Sequence, residues 1–232
     1  MIEALVLAHL LGDYVLQTDT LARWKQRSLW GVAAHGALVT LALWLCSLPL
    51  DPHWWPYALG LGLVHTAVDI VRARLGSISP VVDLALFLAD QAAHGATIVL
   101  ALALSGWLAP RPAETPLGLW LQAGNRLPLT AGYVLLTMPA WVLIHFLARG
   151  MGASRTSLPG RPGERYLGML ERSLIASLVL AGQLLLVPLV MAPRLVLDGR
   201  GDRGAAEPLA YLNELLISVT LAVAVGLFLR GL

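Results

Sequence analysis

Long apolar stretches alternate with short polar connections along the whole chain, and each stretch approaches the ~20 residues that a membrane-spanning helix needs. We interpret them as seven transmembrane helices, or six if the first, which is short and comparatively polar, is only half inserted. The sequence therefore predicts an all-α, polytopic transmembrane helical bundle. The predicted spans are 3–21, 29–48, 54–73, 80–108, 128–148, 165–192 and 207–230.

Composition supports an integral membrane protein. The 232 residues are 57% hydrophobic and 13% charged, and the mean hydropathy is +0.72, which a soluble domain of this size could not place on its surface. The start, Met1-Ile2-Glu3, lacks the basic residues of a cleaved signal peptide, so we expect the first helix to be retained.

We expect one integral membrane domain over residues 1–232. It would consist of a four-span half, 1–108, a non-cytoplasmic loop, 109–127, and a three-span half, 128–232. Prolines and glycines mark the loop, which could contain a short interfacial helix near Leu117–Gln122. A basic cytoplasmic linker, 150–163, would interrupt the second half.

Arginine and lysine are more frequent in the connections after the first, third and fifth spans. By the positive-inside rule, the amino terminus is then outside and the carboxyl terminus cytoplasmic. Arginine-rich, lysine-poor usage favours a bacterial plasma membrane. The basic residues after the odd spans are Arg23, Lys25, Arg27, Arg72, Arg74, Arg149, Arg155, Arg161 and Arg165.

Charge and cysteine content limit which partners, disulfides and metal sites the chain can have. The isoelectric point near 9.0 is assigned to loop arginines that face anionic lipid, because no basic stripe with interleaved aromatics predicts nucleic-acid binding. The single cysteine, Cys46, excludes an internal disulfide and a cysteine-rich metal site. Membrane lipids are therefore the expected partners, and the sequence leaves the oligomeric state open.

Three histidine–aspartate pairs, each four residues apart, lie in apolar stretches. This spacing places both side chains on one helix face, and carboxylates in such surroundings normally mark a partner, a cavity or a site. The pairs are His9 with Asp13, His65 with Asp69, and Asp90 with His94.

The three pairs are expected to lie at similar depths in the membrane. At ~1.5 Å per residue, counted from the cytoplasmic end of each span, the first pair lies roughly 12–18 Å deep and the second roughly 8–14 Å deep. Asp90 comes out about 15 Å deep and His35 about 10 Å deep by the same rise. The sequence therefore predicts one polar centre, to which His35 is a fourth contributor.

Imidazoles and carboxylates without thiolates suit zinc, iron or manganese, and up to seven candidate ligands leave room for two ions. A bound metal lowers the pKa of its water and supplies hydroxide, which indicates a hydrolase for a lipid-linked or membrane-accessible substrate. The predicted ligands are His9, Asp13, His35, His65, Asp69, Asp90 and His94.

Other roles stay open for these residues. His35 could act as ligand or catalytic base, and Glu171 as a general acid or base, although pairing with a loop arginine is the alternative for Glu171. Gln91 and Gln17 are candidates to orient the ligands. The same centre could also serve a proton-coupled carrier or a non-catalytic scaffold held by hydrogen bonds.

These motifs resemble a bacterial membrane-protein family labelled domain of unknown function 3307, which supports the polar set but implies no reaction. A looser similarity, by analogy only, is to membrane-bound metal-dependent hydrolases. The similar segments are His9–Gln17, His35, His65–Asp69, Asp90–His94 and, in the carboxyl-terminal half, Leu170–Ile175, Gly182-Gln183 and Tyr211–Ser218.

Overall fold

A computed structural model describes residues 1–76, 78–152, 162–198 and 208–232. Within these ranges every regular element is a helix, which confirms the all-α prediction. The chain forms two compact units, each described by itself: unit 1 comprises 1–78 and 85–134, and unit 2 comprises 79–84 and 135–232. The expected single domain stays a prediction.

Unit 1 packs its helices around an apolar core. The core side chains come from α1, α3, α4, α5 and α7, among them Leu5, Leu43, Leu61 and Leu102. The elements are α1 (Ile2–Leu10), a π-helical turn (Leu11–Val15), α2 (Asp19–Arg27), α3 (Leu29–Ser47), α4 (Trp55–Arg74), α5 (Pro80–Leu104, of which 80–84 belong to unit 2), α6 (Pro116–Gln122) and α7 (Arg126–Leu135, of which Leu135 belongs to unit 2).

Helices α3 and α4 approach each other closely through two glycine–threonine pairs. A Cβ atom on Gly36 would overlap the hydroxyl of Thr66, and one on Gly62 would overlap the hydroxyl of Thr40. Each hydroxyl donates back to its own helix, Thr40 to the Gly36 carbonyl at 2.7 Å and Thr66 to the Gly62 carbonyl at 2.8 Å. Small residues permit such contact between apolar helices.

The basic segment after the first predicted span is a helix, α2. Thr18 caps its amino terminus by accepting a hydrogen bond from the Leu21 N–H. At Gly31, in the first turn of α3, a Cβ atom would overlap the backbone of Trp24 and Lys25. The missing side chain of Gly31 therefore lets α2 lie directly against the start of α3.

Unit 2 is built mainly from α8 (Met138–Gly150), α9 (Pro162–Leu180), α10 (Val187–Asp198) and α11 (Pro208–Arg230). Its buried apolar side chains on α9 and α11 include Ile175, Val179, Ala222 and Val225. Glycine at Gly226 brings the two helices together, because a Cβ atom there would lie 2.8 Å from the Val179 Cβ.

The expected count of about seven spans, or six, is wrong for this structure. Among the described residues, three helical segments are long and apolar enough to cross a membrane, or up to four if the pieces on both sides of one break form a single span. The three are Leu29–Ser47, Pro80–Leu104 and Tyr211–Arg230, and the broken pair is Pro116–Leu135 with Met138–Gly150.

Polar residues and helix breaks explain the lower count. The first span is cut short, since α1 gives way to the π turn and the chain then turns into α2. The third, α4, has 20 residues, but His65, Asp69 and Arg72 lower its hydropathy. The sixth is divided at Gly182, whose φ of +77° and hydrogen bond from Gln183 N–H to Leu178 O at 2.7 Å end α9 in a Schellman-type cap.

The fifth predicted span is interrupted between Leu135 and Met138. Pro139 lacks the N–H that would continue the hydrogen-bond ladder. The buried guanidinium of Arg172 donates to the carbonyls that lack a helical donor at this break, to Leu136 O from Nε at 2.8 Å and to Thr137 O at 3.2 Å. A third donor reaches the Ser218 hydroxyl at 3.4 Å. Arg172 thus replaces the missing backbone donors.

The connections are described in part. The expected short helix in the 109–127 loop is confirmed as α6, Pro116–Gln122. Most of the 150–163 linker, with Arg155 and Arg161, lies outside the described residues. The non-cytoplasmic position of the loop and the orientation from the positive-inside rule stay predictions.

Replacement of Gly62 by alanine should destabilise the protein. The added methyl group would collide with Thr40 between two packed helices, and overpacking of this kind typically costs about 1–3 kcal/mol. The measurement is the thermal unfolding midpoint in detergent. Gly60→Ala on the same helix is the matched control, because nothing lies within 4 Å of a Cβ atom there. A midpoint equal in both variants would contradict the close approach.

Replacement of Arg172 by methionine should also destabilise the protein, by about 2 kcal/mol, because an unsatisfied buried carbonyl costs about 1–3 kcal/mol. Arg165→Met on the same helix is the control, since Arg165 lies over the faces of Trp141 and Tyr166 without a buried carbonyl partner in the described residues. Equal unfolding midpoints for the two variants would refute the proposed role of Arg172 at the break.

Candidate metal centre

Four of the six histidines and three aspartates meet inside unit 1. They come from five elements: α1 and α3 provide one histidine each, the π turn one aspartate, and α4 and α5 one histidine and one aspartate each. Most of these side chains are at least nine-tenths buried. The residues are His9, Asp13, His35, His65, Asp69, Asp90 and His94.

Four atoms from three elements, the π turn, α3 and α4, lie close together. The Nε2 atoms of His35 and His65 lie 3.3 Å apart. Asp13 Oδ1 lies 3.3 Å from the Nε2 of His35 and 3.2 Å from that of His65. Asp69 Oδ2 lies 3.5 Å and 3.3 Å from the same two nitrogens. We call these four atoms the four-atom cluster.

The close packing of α3 on α4 sets the separation of the two nitrogens. His35 precedes Gly36 in the chain, and His65 precedes Thr66, so each histidine is next to a member of one glycine–threonine pair. The rings lie with centroids 5.3 Å apart. The close approach of the two helix backbones therefore brings the two Nε2 atoms within 3.3 Å of each other.

A π turn directs Asp13 into the cluster. The hydrogen bond from Leu16 N–H to Leu11 O, at 2.8 Å, spans five residues instead of four. Such turns widen the helix locally and are frequent at functional sites. Asp13 consequently lies closer to His65, at 3.2 Å, than to His9 on the preceding turn of α1, at 3.7 Å.

A second group of ligand atoms adjoins the first and shares Asp69. Asp69, Asp90 and His94 each offer one ligand atom, and these three atoms lie within 4.8 Å of one another. The His94 ring stacks on that of His65 with centroids 4.2 Å apart. Gln91 connects this group to α1, since its amide contacts His9 Nε2 at 3.3 Å and donates to Asp90 Oδ2 at 3.1 Å.

A small cavity adjoins the histidines. His9, His65 and His94 line its polar side, and Val39, Leu61 and Ile98 are among the apolar side chains around it. Its volume of about 10 Å³ is room for about one water molecule. A water-sized space thus lies beside three of the predicted ligands.

Lys25 extends from α2 to the four-atom cluster. Its Nζ lies 2.7 Å from Asp69 Oδ2, and its side chain is 21% exposed. Sequence reasoning placed Lys25 among the basic loop residues and missed this contact. The amphipathic pattern of 19–27 could have indicated a helix, but nothing in the pattern shows that Gly31 lets this helix lie close to Asp69.

The predicted pairing within each helix is the weaker part of the geometry. The spacing of four does place each histidine near its aspartate, at 3.7, 3.3 and 3.6 Å for the three pairs. The cluster itself is joined by contacts between helices, through Asp13, His35 and His65. His35, which has no aspartate four residues away, lies at the centre.

The other predicted candidates, Glu171, Gln91 and Gln17, and the two remaining histidines occupy different parts of the described chain. Glu171 belongs to α9 in unit 2, where it is buried next to Arg172, so its role as an acid or base stays a prediction. His145 in unit 2 stacks on Trp141, and His53 is exposed. Gln91 contacts the centre as expected, and no described contact joins Gln17 to it.

The donor set fits a divalent metal ion. Within the described residues, Asp13 Oδ1, Asp90 Oδ1 and both ring nitrogens of His94 are buried without a hydrogen bond of good geometry, as is Nδ1 of His35. Charge-assisted hydrogen bonds measure about 2.7–2.9 Å, whereas the imidazole–carboxylate contacts of the four-atom cluster measure 3.2–3.5 Å. The atoms are near enough to share an ion, and their contacts are longer than strong charge-assisted hydrogen bonds.

Comparison with protein-family models matches residues 1–114 to the family described as Protein of unknown function (DUF3307). Residues 1–114 therefore belong to this family. The DUF3307 segment includes all seven predicted ligands together with Lys25 and Gln91. It ends before α6, so the resemblance expected for Leu170–Ile175 and Tyr211–Ser218 stays a prediction.

No curated protein and no solved structure matches the chain. The function proposed for this protein accordingly rests on its own residues.

Proposed function

We propose that this protein is an integral membrane protein that binds one or two divalent metal ions in unit 1 and hydrolyses a lipid-linked or membrane-accessible substrate. The observation that carries the proposal is the four-atom cluster, in which two imidazole nitrogens and two carboxylate oxygens face one another at 3.2–3.5 Å. Three elements of the fold, the π turn, α3 and α4, have to cooperate to produce this arrangement, which favours a ligand-binding role over chance.

The distances favour tetrahedral coordination. Zinc bonds to histidine and carboxylate ligands measure about 2.0–2.2 Å, so the ligand atoms of a zinc tetrahedron are about 3.3–3.6 Å apart. An octahedral Mg²⁺ site with bonds of about 2.0–2.1 Å would bring neighbouring ligands to about 2.9 Å. The five measured separations, which join the two nitrogens to each other and to both oxygens, are 3.2–3.5 Å and agree with neighbouring ligands of a tetrahedral ion. Zinc is therefore the first candidate, with iron and manganese as alternatives.

A second ion would use the adjoining group. Asp69 offers a carboxylate to both groups, and Asp90 and His94 supply further ligands. Shared carboxylates are the usual bridge in two-metal sites of helical proteins. His9 borders both groups and the cavity, so it is a ligand candidate for either ion.

The membrane location is supported by the three apolar helices and the apolar composition. With the loop charges, it gives a multi-pass protein of the bacterial plasma membrane with its amino terminus outside and its carboxyl terminus cytoplasmic. Membrane lipids would surround the exposed apolar side chains of α3 and α5, such as Leu41, Leu45 and Leu100.

Hydrolysis follows from the chemistry that such a centre provides. A metal ion held by the cluster would lower the pKa of a water molecule toward neutrality and so supply a hydroxide nucleophile for hydrolysis, in which the leaving group would take up the proton that the water loses. His35 is better suited to hold metal than to act as the base, because its Nε2 lies within the four-atom cluster. Glu171 is not needed for this scheme.

Detergent-purified protein should contain about one to two equivalents of zinc, iron or manganese per chain. Combined replacement of His65 and Asp90 by alanine should remove the metal, since one change acts on each group of ligands. Elemental analysis measures the metal content, and X-ray absorption should show nitrogen and oxygen ligands at about 2.0–2.2 Å without sulfur.

Glu114→Gln together with His53→Ala is the matched control. It alters a histidine and an acidic residue that lie 3.6 Å apart and are both exposed, and it should leave the metal content unchanged. Folded wild-type protein that contains no metal, and takes up none on dialysis, would refute the metal proposal. Proton uptake or substrate flux by such metal-free protein would instead support the carrier.

A further inference from the structure

We propose that Lys25, together with the metal centre, forms a binding site for the phosphate group of the substrate, so that the hydrolysed substrate is a phosphate ester at the membrane surface. This inference rests on the proposed metal-dependent hydrolase and names its substrate class. It begins from the ion pair between Lys25 Nζ and Asp69 Oδ2, at 2.7 Å.

Lys25 is oriented differently from the other basic residues of its helix. Arg23 and Arg27 are exposed, whereas the Lys25 side chain is only 21% exposed and ends at the four-atom cluster. Residues two apart on an α-helix lie on nearly opposite faces. Lys25 therefore turns toward the centre, and the two arginines turn away from it.

Metal binding would change the partner of Lys25. The oxygen that Lys25 contacts, Asp69 Oδ2, is also one of the four clustered ligand atoms. Once this oxygen is bonded to a metal ion, much of its negative charge is neutralised. The ammonium group then remains beside the ion, partly exposed and able to bind another anion.

Charge balance indicates what kind of anion this is. Three carboxylates and one lysine leave two net negative charges, with the histidines counted as neutral. One divalent ion neutralises this sum, and a second leaves two positive charges that a phosphate dianion would balance. Lysine is a common point-charge ligand for phosphate, and metal ions beside a cationic side chain are the usual way to stabilise a reacting phosphoryl group.

The position of α2 is consistent with access from the membrane surface. The helix is amphipathic, and its exposed residues include Trp24, Arg23 and Arg27. Basic amphipathic helices with aromatic residues lie in the headgroup region of anionic membranes. Phosphate held by lipid would therefore be adjacent to Lys25.

The test measures phosphate binding separately from metal binding. Protein loaded with Mn²⁺ in detergent should broaden the ³¹P signal of inorganic phosphate, because the bound phosphate lies next to a paramagnetic ion. Lys25→Met and Lys25→Gln should keep their metal but bind phosphate about tenfold more weakly or worse, which is the usual loss for a hydrogen bond to a charged group. Lys25→Arg should retain much of the binding.

Arg27→Met is the matched control, since it removes a positive charge from the same helix on its exposed face and should leave phosphate binding unchanged. If folded, metal-containing Lys25→Met and Lys25→Gln bind phosphate as well as the wild type, the proposed role of Lys25 is refuted. The proposal that the centre binds metal would still stand. Wild-type protein without metal would overturn both proposals.

A second arm distinguishes the source of the phosphate. Phosphatidylcholine vesicles with added phosphatidic acid present the group on a lipid, and methyl phosphate presents it in solution. Broadening of the phosphatidic acid signal, dependent on Lys25, supports a lipid substrate. Broadening of the methyl phosphate signal alone supports a soluble ester.

Discussion

The close approach of α3 and α4 is the contact on which the candidate site depends. Two glycines each leave room for a threonine hydroxyl of the facing helix, and both hydroxyls satisfy backbone carbonyls of their own helices. His35 and His65 are adjacent in sequence to this contact, so their Nε2 atoms meet at 3.3 Å. A wider helix separation would keep the same residues and lose the cluster.

The cost of burying charge then accounts for the neighbouring elements. Carboxylates removed from water are unfavourable by several kcal/mol each unless a counter-charge is near, and the π turn and α4 place Asp13 and Asp69 around the two imidazoles. Lys25 compensates one of these charges. With the histidines counted as neutral, the centre keeps an excess of negative charge. This excess favours a role in cation binding over a purely structural role as a hydrogen-bonded scaffold.

The sequence predicted the residues of the centre better than their connections. Spacing of four identified three histidine–aspartate pairs, and estimated depth added His35. The pattern could not show that Asp13 sits in a π turn, nor that Gly31 admits α2 near Asp69. The predicted number of spans was wrong for a related reason. Hydropathy alone ignored that Gly182 ends α9 and that Pro139, in the first turn of α8, follows a break in the fifth predicted span.

Buried polar groups in the two units differ in how completely they are satisfied, and this difference separates a structural role from a functional one. Arg172 in unit 2 donates to two carbonyls and a hydroxyl at 2.8–3.4 Å, so it needs nothing further. In unit 1, His94 and Asp13 retain buried atoms without a good hydrogen bond from the described residues. Native structures rarely leave such groups unsatisfied. Because the deficit is found on both α5 and the π turn, a ligand explains it more simply than poor packing of one helix does.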